Sequence, residues 1–81
     1  MDFKTVVSTW YEAIQVKGYG CKLCKTYNNK KEAQKGIKES NAKAIEQGYT
    51  ADEYYIMLCN CVRQIDENND VISETITRVR V

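Results

Sequence analysis

Four cysteines are the residues of this chain best suited to chemistry. Cys21 and Cys24 sit three apart in "GYGCKLCKTY", Gly18 to Tyr27, and Cys59 and Cys61 form a second pair near the other end. Structural zinc sites use four tetrahedral thiolate or imidazole ligands. The chain has no histidine, so Cys21, Cys24, Cys59 and Cys61 together are the zinc set it offers. The C-x2-C spacing suits a metal knuckle, and the C-x-C spacing suits it less. If Cys59 and Cys61 lie on a helix, they point about 160° apart and cannot grip one ion. The competing reading is a buried Cys61, a boundary Cys59 and two loop thiols, since free cysteine is among the most buried residue types. Disulfides are a third reading, disfavoured where thiols stay reduced, and a CxxC redox protein is a remote fourth. The motif follows a predicted helix and two glycines rather than the strand of a βαβ unit, and Lys22 is the nearby cation that favours thiolate.

Other catalytic groups are scarce. Hydrolysis needs a base that titrates near neutral pH, and the usual one, histidine, is missing. No two carboxylates share an apolar face at helical spacing, and Glu12 and Glu53 read as solvated. "KGYG" lacks the GK[ST] ending of a phosphate loop. The expectation is a protein that is not an enzyme.

Eighty-one residues make one small domain, expected over 1–81. With 43% hydrophobic and 28% charged residues, the chain is expected to fold. The N-terminal stretch has an acid at Asp2 and no unbroken apolar run, and no window is apolar enough to span a bilayer. The expected compartment is the cytoplasm, a host cytosol, where thiols stay reduced. The charge is uneven. Residues 1–43 hold nine lysines against four acids, and residues 44–81 hold three arginines against seven.

Periodicity predicts a mainly α (α+β) fold with three helices and a C-terminal strand. Phe3, Val6, Val7, Trp10, Tyr11 and Ile14 make one stripe at 100° per residue, which predicts a helix over about 2–17, capped by Asp2. Its β-branched pairs keep a strand reading open. Residues 18–29 read as a loop. Asn29 followed by Glu32 is close to a capping box for a second helix over about 30–47, with Gly48 just past its end. Thr50 and Glu53 repeat that pattern before a third helix over about 51–66. Its stripe is Tyr54, Tyr55, Leu58, Cys61, Val62 and Ile65, with Ile56 pointing away from it. "ENND", Glu67 to Asp70, reads as a turn. Thr77, Val79 and Val81 alternate with Arg78 and Arg80, which predicts a strand over about 71–81. Such a strand needs a partner, either an unnoticed strand near Tyr19–Tyr27 or the same strand of a second copy; in the second case the chain is a homodimer through this segment.

Two binding readings remain. The first is a protein partner. Tyrosine and arginine are enriched at interfaces, and Tyr19, Tyr27, Tyr49, Ile56 and Arg63 are the candidate contacts. A small, non-catalytic chain rich in Lys, Asn and Ile has the look of a phage or mobile-element regulator that inhibits a larger protein by sitting on it. Anti-defence inhibitors, including anti-CRISPR proteins, work in this way; no motif carries a family resemblance. The second reading is a nucleic-acid module built on the Lys17–Lys43 region. Lys22, Lys25, Lys30, Lys31, Lys35 and Lys38 would neutralise phosphates. Asn60, Arg63 and Gln64 would contact bases from a helix-turn-helix.

Overall fold

β-Branched residues crowd the first segment: Thr5, Val6, Val7, Thr9, Ile14 and Val16. Such side chains lose χ1 freedom in a helix and pack well on a pleated sheet. In the computed structural model, which describes residues 3–18 and 20–81, this segment is a strand. The elements are β1 (Lys4–Lys17), β2 (Gly20–Tyr27), α1 (Lys30–Glu46), β3 (Glu53–Ile65) and β4 (Val71–Arg80). They form one antiparallel sheet in the order β2-β1-β3-β4. The helix packs against β1, β2 and β3 but, among the described residues, does not touch β4.

The three-helix expectation is therefore corrected. The helices expected over about 2–17 and 51–66 are the two central strands, β1 and β3, and the expected loop over 18–29 is mostly β2. The chain is mostly antiparallel sheet with one helix rather than helical. The reason is burial on two sides. A central strand with groups to cover on both faces carries apolar residues at odd and even positions alike, and that erases the period of two. Tyr54 to Cys59 is such an unbroken run. Asp2, the expected cap of the first helix, lies outside the described residues.

Local chemistry explains the other elements. Asn29 Oδ1 accepts from the Glu32 N–H at 2.8 Å and caps α1. At its far end Gly48 has φ +87°, with Gly48 N–H donating to Ile45 O at 3.0 Å and Tyr49 N–H to Ala44 O at 2.8 Å. This pair of bonds is a Schellman closure, and only glycine takes its left-handed conformation without penalty. The Thr50–Glu53 pattern has no helix behind it. Asp52 is instead tied to the helix: its N–H donates to Asn41 Oδ1 at 3.0 Å, and its carbonyl accepts from Asn41 Nδ2 at 3.3 Å. The turn before β4 is built on Asp66, whose Oδ1 accepts from the N–H groups of Asn68 and Asp70, both at 2.9 Å.

The buried core is small. Ala13, Ala33 and Ile56 are buried between helix and sheet, and Cys59 and Cys61 are buried on the sheet's other face. The molecule measures 59 × 26 × 20 Å, with a radius of gyration of 16.9 Å; a compact chain of this length has about 12 Å. All of β4 is exposed. No helix among the described residues is long and apolar enough to cross a membrane.

Candidate binding face

Strand alternation sorts the side chains onto two faces. Toward the helix lie Tyr11, Ala13 and Gln15 of β1 with Tyr54, Ile56 and Leu58 of β3. Away from it lie Trp10, Glu12 and Ile14 with Tyr55, Met57, Cys59, Cys61 and Arg63. β4 adds Glu74, Ile76, Arg78 and Arg80 to this helix-free face, and β2 adds Leu23 opposite Ile14.

Glu12 sits at the centre of that face and is buried. Its carboxylate accepts from Trp10 Nε1 at 3.1 Å and pairs with Arg78 Nε at 3.4 Å. Burial pushes the Glu12 carboxyl up; hydrogen bonds from Trp10 and the Cys59 thiol, with the charge of Arg78, outweigh it and leave the group below its ordinary value. Burial first, and the Glu12 carboxylate second, push the Cys59 thiol up. Cys59 therefore stays protonated at neutral pH, and its thiol donates to Met57 O at 3.9 Å. Around this cluster, Arg63 Nε pairs with Glu74 at 2.8 Å, and the Arg80 guanidinium lies 4.6 Å from the centre of the Tyr55 ring.

The sheet does not gather the four cysteines. A register shift between Ala13 and Ile14 leaves Cys24 without a partner on β1, a β-bulge. The Cys24 thiol lies 3.5 Å from Gln15 Oε1, on the helix side. Cys21 stands opposite Val16, on the helix-free side. The two thiols of the CxxC thus face opposite ways, and Cys59 and Cys61 are buried beside Glu12 and Arg63. All four are free thiols. Among the described residues, no three His, Cys, Asp or Glu side chains group as a metal site would require.

The thiols should therefore react in two classes. A soluble maleimide is expected to label Cys21 and Cys24 quickly in the native protein, and Cys59 and Cys61 only after denaturant. Cys21→Ser should shift stability by less than about 0.5 kcal/mol. Cys59→Ser should cost about 1–3 kcal/mol, because it buries a hydroxyl in place of the thiol. Fast native labelling of all four would contradict this placement.

The other expected contacts are scattered. Tyr19 lies outside the described residues. Tyr27 packs its ring end onto Gly36 of α1, where a Cβ would collide with it. Tyr49 is 70% exposed in the connection after α1, whereas Ile56 is only 6% exposed and offers no surface to a partner. Asn60, Arg63 and Gln64 belong to a strand, not a recognition helix. Asn60 accepts from Thr9 Oγ1 at 3.2 Å, and Arg63 and Gln64 point to opposite faces. Lys22, Lys25, Lys30, Lys31, Lys35 and Lys38 are exposed on β2 and α1. Lys25 and Lys35 share a groove of about 460 Å³ with Tyr27, but Glu32 and Glu39 line the same groove. Sequence reasoning missed Trp10, Glu12, Met57, Arg78 and Arg80 as members of one surface. The available signal was alternation, with Trp10, Glu12 and Ile14 at a spacing of two like Arg78 and Arg80.

In comparison with known proteins, no family model matches the chain, and neither does any curated protein or solved structure.

Proposed function

We propose that this chain is a non-catalytic binding protein that regulates or inhibits a larger protein by occupying its surface. One observation carries the reading: the helix covers one face of the sheet and leaves the other to Trp10, Ile14, Leu23, Tyr55, Met57 and three arginines. Trp, Tyr, Met and Arg are the residues enriched in interface cores. Two of the three arginines already have carboxylate partners, Arg63 with Glu74 and Arg78 with Glu12. That leaves little free positive charge for phosphates and favours a protein partner. The lysines of β2 and α1 are interleaved with Glu32 and Glu39, which weakens the phosphate-binding alternative there too. A regulator of phage or mobile-element type working in a host cytosol fits a small surface-occupying protein of this kind.

The test is capture from a lysate of the native cell with the wild-type chain and face variants. Leu23→Glu and Tyr55→Ala should lower recovery of the specific partner about tenfold or more. Ile45→Glu, at an exposed position on the helix, should leave it unchanged. Recovery of nucleic acid in place of a protein, lost when Lys30, Lys31, Lys35 and Lys38 are changed to Glu, would overturn the reading.

A further inference from the structure

We infer that two copies of this chain pair antiparallel through the free edges of β4, about a two-fold axis at Ile76, to give one continuous eight-stranded sheet. Three observations lead there: surface area, backbone parity and charge.

The accessible surface is 6319 Å² for a 9.4 kDa chain. A compact monomer of that mass exposes about 5,000 Å². The excess is larger than the roughly 800 Å² that each partner buries in a standard interface. β4 is exposed along its whole length, and the helix does not reach it.

Parity follows from one hydrogen bond. Val81 N–H donates to Ile56 O at 2.9 Å, and Arg80 stands opposite Met57. In an antiparallel ladder, hydrogen-bonded and non-bonded pairs alternate. Thr75, Thr77 and Val79 therefore aim their backbone groups at β3, and Glu74, Ile76, Arg78 and Arg80 aim theirs at the free edge. An antiparallel copy must match outward residues with outward residues. The two-fold axis can then fall on a residue of β4 but not between residues.

Charge selects the residue. With the axis at Ile76, Glu74 of each copy stands opposite Arg78 of the other, Ile76 meets Ile76, and Thr75 meets Thr77. Opposite charges and like β-branched residues at facing positions are favourable cross-strand pairs. An axis at Glu74 or Arg78 sets like charges face to face. An axis at Thr75 or Thr77 sets Ile76 against a charge. The Ile76 register also joins the existing pairs Arg63–Glu74 and Glu12–Arg78 into one ladder of alternating sign across the junction. Both helices fall on the same side of the joined sheet, and the two helix-free faces become one. This pairing stands apart from the proposed function, because it uses the strand edge rather than the helix-free face.

Light scattering and sedimentation equilibrium on the full chain test it. The expected result is twice the 9.4 kDa chain mass, dissociating on dilution. Ile76→Pro removes only an outward N–H, as edge strands tolerate. It should raise the dimer dissociation constant about a hundredfold or more, since proline cannot donate to the ladder, while circular dichroism keeps the sheet signal. Glu74→Arg and Arg78→Glu chains should each weaken self-association about tenfold or more, because like charges then face each other. Mixing the two variants should restore dimer, because opposite charges face again in the mixed pair. A monomer mass at every concentration overturns the inference. So does a dimer indifferent to Ile76→Pro, or a mixture that associates no better than its components.

Discussion

Ile56→Ala is expected to lower unfolding free energy by about 3 kcal/mol, within the usual range for truncating a buried isoleucine. Ile56 stands opposite Ala13 on the helix side and belongs to a core whose other members are Ala13, Ala33, Cys59 and Cys61. It is the one long aliphatic side chain in that set, so its neighbours are too small to fill the space it leaves. Small domains have only a few kcal/mol in hand, so the variant is expected to be partly unfolded at room temperature. Urea denaturation followed by tryptophan fluorescence gives the shift in midpoint. Ile45→Ala, at an exposed helix position, is the control and should move it by less than about 0.5 kcal/mol. Equal small effects for both would mean that β3 presents the opposite set of residues to the helix.

Glu12→Ala is the second large effect, expected to cost about 2 kcal/mol at neutral pH. It strips the acceptor from Trp10 Nε1 and the charge partner from Arg78 at once. Half of the Arg78 side chain remains exposed and can rehydrate, which holds the loss below that of a fully buried pair. The pH dependence has a definite sign. The carboxyl titrates in the folded protein below its ordinary value of 4.5. Its contribution is therefore complete above that value and is lost as pH falls through the folded pKa beneath it. The stability difference between wild type and Glu12→Gln should be constant from neutral pH to about 5.5, then shrink steadily on further acidification. A difference that stays constant down to pH 3 would show that the charged form of Glu12 is not favoured by the fold.

The stretches legible in the sequence are those governed by neighbours along the chain. Helix α1 follows from Asn29 two residues before Lys31 and three before Glu32, and from Gly48 at its end; cap and closure use only local backbone groups. The Asp66 turn and the alternating Thr77, Val79 and Arg78, Arg80 of β4 are equally local. β3 was not legible and β1 only through its β-branched residues, because the side chains of both answer to two different surfaces. Tyr11 and Ala13 face α1, Trp10 and Glu12 face away, and the mixture reads as a helical stripe until a second strand fixes which face is which. β2 was hidden for another reason: glycines and a bulge at Cys24 look like a loop until β1 supplies the ladder. Glu12 shows the same limit at the candidate site. Alone it is a carboxylate among polar neighbours, expected in water. Its burial depends on Arg78, sixty-six residues away in the chain, and on Cys59 of the strand between them. The sequence by itself determined the helix, its caps, the last turn and the last strand, through short-range hydrogen bonds. Only the tertiary structure decided the central strands and the face they build, because a β-strand's partners, and hence the inside and outside of each residue, come from distant parts of the chain.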